Sequence, residues 1–149
     1  MTTDMFQVAL VKWQESASSL RVVREAVFIL EQRVPEALEW DENDPVSVHV
    51  LASTVPDGKP VGTARLLPDC HIGRMAVLKA RRGEGIGSAM LRCLIDKARQ
   101  DGMAEVKLNA QVAAKTFYAR FGFRETGSEF MEAGIPHIKM FLRLSQETA

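Results

Sequence analysis

The stretch RRGEGIGSAML at 81–91 places Gly83, Gly85 and Gly87 at every second position, behind Arg81 and Arg82 and directly ahead of an apolar helical pattern. Glycine opposes helix formation by up to about 1 kcal/mol relative to alanine, so three of them at a helix start need a reason. Backbone N–H groups at a helix N-terminus, together with the helix dipole, favour an anion. Glycines let successive amides converge without a Cβ in the way, and flanking arginines add charge-assisted contacts. Binding of a pyrophosphate is the chemistry that suits these residue types.

Two familiar nucleotide loops do not fit the spacing. A Walker A loop needs a lysine after its last glycine, and here Ser88 follows Gly87 directly. The dinucleotide fingerprint needs G-x-G-x-x-G straight after a strand. This chain has G-x-G-x-G with Ser88 where the third glycine belongs, and the preceding strand pattern ends some four residues earlier. Metal chemistry has little support either. Only Cys70 and Cys93 occur, without a CxxC pair, and the three histidines are scattered. Both cysteines read as structural thiols, Cys93 within an apolar helical pattern.

The elements that must position the glycines are legible along the chain. FQVALVKW (6–13) alternates as a strand, and Ser18 or Ser19 caps a helix to about Arg33 with Leu20, Val23, Val27, Leu30 and Val34 on one face. Pro35 ends it, and the acidic EALEWDENDP leads to a turn at Asp44-Pro45. VSVHVLAST (46–54) and VGTARLLP (61–68) flank Asp57-Gly58 as a hairpin. HIGRMAVL (71–78) is the strand before the glycines. A helix from Gly85 to Gln100 follows, with Ile86, Met90, Leu94 and Ala98 inward, Leu91 and Ile95 beside them, and Gly102 as its stop. AEVKLNA (104–110) is a strand, QVAAKTFYARFG a short helix closed by Gly122, and the remainder two strands around Gly134. This order predicts one α/β domain over 1–149, a mixed, mostly antiparallel sheet with helices on both faces.

The pattern [RQ]-x-x-G-x-[GA] between strand and helix is similar to that of the GCN5-related N-acetyltransferases, and Arg82, Gly85 and Gly87 match it in place, with Gly83 also common there. IGRMAVLKARRG resembles that family's cofactor strand, and AQVAAKTFYARFGF its second motif. The motifs span about 71–123, and the order of elements over the whole chain is also the family's. The resemblance implies an acyl-CoA-dependent N-acyltransferase that moves acetyl from acetyl-CoA (coenzyme A) to a primary amine, with two neighbouring strands splayed around the acyl-CoA. Met75, Ala76 and Val77 would then offer backbone groups to the pantetheine and to the thioester carbonyl, where an N–H serves as oxyanion donor. Arg82, Gly83, Gly85, Gly87 and Ser88 would cradle the pyrophosphate.

By the same resemblance Tyr118, the sole tyrosine, would protonate the departing thiolate; packing beside Phe117 is its structural alternative. Gln111 stands where many members carry a cofactor-contacting asparagine. Some members take a glutamate base four residues before the first cofactor-contacting position, which is His71 here. Histidine has an unperturbed pKa suited to that task, and on a regular strand side chains 71, 73, 75 and 77 share a face. His49, His137, Glu132 and ordered water are rivals. The segment ahead of the second strand shapes the acceptor pocket in this family. Its carboxylates Glu39, Asp41, Glu42 and Asp44 would attract a cationic amine or simply be solvated, and Trp40 would wall the pocket or anchor the loop. A covalent route would need a thiolate near the thioester, and Cys70 points to the face opposite His71 on a regular strand.

The chain has 149 residues, 46% hydrophobic, with 19 basic and 19 acidic side chains, so no basic surface for nucleic acid is expected. No apolar run reaches a membrane span, and MTTDMFQVAL lacks a leader pattern, which predicts a cytoplasmic protein without membrane contact. The family's habit of pairing makes a homodimer compatible. A CoA-binding regulatory module without catalysis is the competing reading.

Overall fold

The computed structural model describes residues 5–144. Seven strands form one sheet in the order β1-β2-β3-β4-β5-β7-β6. These are β1 (Met5–Val11), β2 (Val48–Val55), β3 (Pro60–Leu66), β4 (His71–Val77), β5 (Glu105–Gln111), β6 (Arg124–Glu132) and β7 (Ile135–Arg143). Every neighbouring pair is antiparallel except β4–β5, which is parallel. That exception follows from the connection: the glycine loop and a long helix carry the chain from β4 back to begin β5, as a parallel pair requires. The mostly antiparallel mixed sheet with helices is the expected architecture.

The long helix α3 (Ile86–Gln100) buries Ile86, Met90, Leu91, Leu94, Ile95 and Ala98, the predicted apolar stripe. These side chains form the main core with Val50, Ala64, Leu66, Ile72 and Leu108 from the sheet. A Cβ on Gly62 would stand 3.0 Å from Ile86 Cγ2 and 3.1 Å from Met90 Sδ, so glycine at this position lets the start of α3 lie against β3. The first helix, α1 (Trp13–Arg24), packs on the opposite face, where Val23, Val27, Phe28 and Ala76 make a second, smaller core.

That helix departs from the sequence expectation at both ends. It begins at Trp13, with Lys12 extended before it and no side-chain cap, so Ser18 and Ser19 lie mid-helix. Glu15 in its first turn meets the positive end of the dipole. Beyond Arg24 the chain continues as a π turn, Glu25–Glu31, closed by bonds such as Gln32 N–H to Val27 O at 2.9 Å. The wider turn shifts the spacing of the apolar face. Val27 and Phe28 stay inside, but Leu30 is 68% exposed. The remaining pieces are short: α2 (Glu36–Glu39), 3-10 turns at Asp44–Val46, Lys79–Arg81 and Val112–Ala114, and α4 (Lys115–Ala119).

Candidate active site

The site is built where β4 leaves β5. Their ladder holds only His71 to Lys107 and Ile72 to Leu108, after which the strands diverge. The cause lies within β4. Arg74 has φ 51°, and the β3–β4 register slips by one between Thr63 and Arg65, which marks a bulge. The extra residue turns the strand over. Ile72 belongs to the core under α3, whereas Ala76, four residues later, packs against Val23 and Phe28 under α1. A regular strand keeps both on one face, so the expected shared face of 71, 73, 75 and 77 does not form. The backbone of 73–77 pairs with β3 on one side and opens on the other into a wedge that ends at Gln111.

Beyond the wedge lies the glycine loop. Gly83 and Gly85 have φ of 84° and 89°, in the left-handed region, and an added Cβ on either would meet nothing within 4 Å. Their conformation needs glycine, while the space beside them is open. The first intrahelical bond of α3 runs from Ala89 N–H to Gly85 O at 3.0 Å, so the amides of Ile86, Gly87 and Ser88 precede it. Gly87 lies beside Phe117, whose Cζ would be 3.5 Å from an added Cβ. Arg82 is engaged already: Nη1 and Nη2 donate to the two oxygens of Glu31 at 2.8 and 2.7 Å, and Nε donates to Val77 O at 3.0 Å.

A cavity of about 580 Å³ opens at the other end of the wedge, lined among others by His71, Arg74, Met75, Gln111, Tyr118 and His137. Tyr118 donates its hydroxyl to Met75 Sδ at 3.8 Å. Phe117 and Phe123 meet its ring edge-on, and burial pushes the phenol up to about 12. It is therefore protonated throughout the neutral range. Gln111 is paired amide to amide with Gln32, at 2.9 and 3.5 Å.

The histidines separate clearly. His71 Nδ1 lies 3.0 Å from Asp69 Oδ1, and the hydrogen bond holds the Asp69 carboxyl below its usual range. His137, buried, approaches the carbonyl of Ile135 through Nδ1 at 2.7 Å and Glu132 through Nε2 at 3.6 Å. Asn109 Nδ2 donates to the other oxygen of Glu132 at 3.2 Å. Both histidines and both carboxylates line the cavity. His49 does not. It is buried against Trp13, with Nε2 2.8 Å from Asp44 O, and burial lowers its pKa. Cys70 also lies outside the lining, its thiol pushed up by burial. No group of three or more metal-ligating side chains occurs among the described residues.

A family model for the acetyltransferase (GNAT) domain matches residues 14–144. The chain belongs to the GNAT acetyltransferase family. A Bacillus subtilis protein named as the uncharacterized N-acetyltransferase YjcF is 37% identical over 139 residues, 90% of this chain and 97% of that one. The crystal structure of an acyl-CoA N-acyltransferase from Pseudomonas aeruginosa superposes with a TM-score of 0.76 at 27% identity, covering 93% of this chain and 99% of its own. That of Escherichia coli ElaA does so at 0.78 and 28%, covering 92% and 98%. GNAT enzymes take acetyl-CoA as donor and small-molecule or peptide amines as acceptors.

In this acetyltransferase the acidic loop is neither a bare carboxylate patch nor a solvated one. Arg24 Nε and Nη1 bond Glu39 and Asp44, both at 2.7 Å. Arg65 Nη1 bonds Asp41 at 2.7 Å and Asp44 at 2.8 Å. Arg74 reaches Glu39 at 3.3 Å and Asp41 at 3.2 Å. Three guanidiniums thus face Glu39, Asp41 and Asp44, three of the four carboxylates expected to draw a cation, and of the four only Glu39 lines the cavity. Arg65 holds Asp41 down to about 2, while burial pushes Glu39 up. Trp40 anchors the loop rather than walling the cavity: the Arg24 and Arg21 guanidiniums stack over it at 5.0 and 5.5 Å, and over Trp13 at 5.7 and 5.2 Å. The sequence reading missed Arg24, Arg65 and Arg74. The lone arginine inside the apolar IGRMAV was a readable signal, whereas Gln32 and Asp69 offered none.

Proposed function

We propose that the chain transfers an acetyl group from acetyl-CoA to a primary amine by direct attack within a ternary complex. The observation that carries this reading is the wedge where β4 parts from β5, with Tyr118 bonded to Met75 on β4 and the open glycine loop following that strand. The residues suit the donor. Gly83, Gly85, Gly87, Ser88 and Arg82 hold the pyrophosphate on converging amides and a guanidinium. Backbone groups of Met75, Ala76 and Val77 bind the pantetheine, with Gln111 contributing its amide, and a β4 N–H stabilises the thioester oxygen as charge develops there. A thioester supplies an activated acyl carbonyl with a thiol leaving group.

Tyr118 protonates that leaving thiolate. Its hydroxyl already donates to a sulfur, the Met75 thioether, and sulfur is a weak acceptor that exchanges readily for another. His71 takes the proton from the incoming ammonium or amine. Asp69 bonds Nδ1, which leaves Nε2 as the basic atom. Glu39, Asp41 and Asp44 act through their arginines, holding the loop and the Arg74 bulge. Of the carboxylates lining the cavity, Glu39 is taken up by Arg24 and Arg74, and Asp69 and Glu132 are those that a cationic acceptor meets. Cys70 takes no part, so no acyl-enzyme forms.

Calorimetry with coenzyme A and thiol release from acetyl-CoA across an amine library test this together. Binding with amine-dependent release supports the enzyme. Binding without release on any amine supports the non-catalytic module, and no binding removes the cofactor assignment.

A further inference from the structure

Two consecutive side chains at the end of the π turn occupy the polar groups that the proposed cofactor requires. Glu31 takes the end of the Arg82 guanidinium as a fork, Nη1 to Oε2 at 2.8 Å and Nη2 to Oε1 at 2.7 Å, while Val77 O takes Nε. An arginine has five N–H donors. With three used this way, the two left over point away from each other and cannot grip one phosphate as a pair. Gln32 does the equivalent to Gln111, accepting from its Nε2 and donating to its Oε1. Both bridges span long sequence distances, from α1's extension to the glycine loop in one case and to the end of β5 in the other. A diphosphate bound beside Arg82 while Glu31 stayed would also face a carboxylate at contact range. The same stretch of chain supplies Phe28, Gln32, Val34 and Leu38 to the cavity wall.

We propose that Glu31 and Gln32 compete with coenzyme A for Arg82 and Gln111, so that cofactor binding detaches the end of the π turn and frees the wall of the cavity on the acceptor side. The inference rests on the reading of this cleft as a coenzyme A site. It makes Glu31 a determinant of affinity for the diphosphate, and Gln32 a determinant of affinity for the pantetheine.

The test is titration of the full chain with coenzyme A and, separately, with pantetheine, which lacks the diphosphate. Glu31 is partly exposed, and E31Q keeps its shape, so folding is checked simply by thermal melting. E31Q is expected to bind coenzyme A about two- to fivefold more tightly, the scale of an exposed ion pair, with pantetheine affinity unchanged. Q32A tightens both ligands. In an R82Q background E31Q has no further effect, because the contested group is gone. Unchanged or weaker coenzyme A binding by E31Q would overturn the proposal, since Glu31 would then only position Arg82. An equal gain in the R82Q background would overturn it too, as a general charge effect. Failure of the wild-type chain to bind coenzyme A would instead sink the reading of the cleft, and the competition with it.

Discussion

In the proposed mechanism Tyr118 and His71 carry opposite ends of the same proton balance, and each has a distinct signature. Replacing Tyr118 by Phe removes one hydroxyl and its weak bond to Met75. Turnover should fall by about a hundredfold, within the range for loss of a general acid, while calorimetric affinity for coenzyme A stays within about twofold. Unchanged turnover would leave the tyrosine as packing. For His71, the H71N variant should lose about a hundredfold in kcat/KM, within the range for loss of a general base, with affinity for coenzyme A unchanged. D69N should lose less, because Asp69 would act only through the ring. Full activity in H71N together with its loss in H137N would move the base to the His137–Glu132 pair. At this scale the sequence disclosed what a motif fixes locally: the glycines, Arg82 and Tyr118. It did not disclose that Arg24 and Arg65 face Glu39, Asp41 and Asp44, because those arginines lie on a helix and a strand distant from the acidic loop along the chain. Asp69 is only two residues from His71, but it meets the ring through the turn ahead of β4, where strand alternation no longer applies.

Among the elements, the β4 bulge decides the geometry. Alternation in HIGRMAV reads as one unbroken strand, yet the left-handed Arg74 moves Ile72 and Ala76 to different cores. Period alone does not reveal a bulge, since the inserted residue leaves the local composition unchanged. The arginine network holds that bulge to the α2 loop, and its pH response has a definite sign. Asp41 has a folded pKa of about 2 against an ordinary 3.8. Its contribution, about 2 kcal/mol, is present above pH ~4 and is lost as pH falls toward ~2. Asp44 shifts in the same direction, whereas Glu39, raised by burial, works the other way. Denaturant melts from pH 6 to 2 should therefore show stability falling with acid, and D41N should flatten the drop while being less stable at neutrality. The contact of α3 with β3 is set by Gly62. G62A should cost about 1–3 kcal/mol through overpacking of Ile86 and Met90, read by chemical denaturation.

For the whole molecule, the succession of strands and helices along the chain was legible because strand-and-turn boundaries carried their own punctuation, Asp57-Gly58 and Gly134 among them. The π turn was not, because helical spacing looks the same until the chain widens, and Leu30 is its visible cost in exposed apolar surface. The assembled protein joins an open glycine loop, a strand wedge and a cavity with two acid-paired histidines along one path. That path is the central claim. Its most direct test is thiol release from acetyl-CoA by the full chain, measured against a panel of primary amines, with Y118F in parallel. The expected result is release that depends on the amine, matches acetylated product one for one, and is depressed in Y118F. Saturable acetyl-CoA binding with no amine-dependent thiol release on any member of the panel would contradict it.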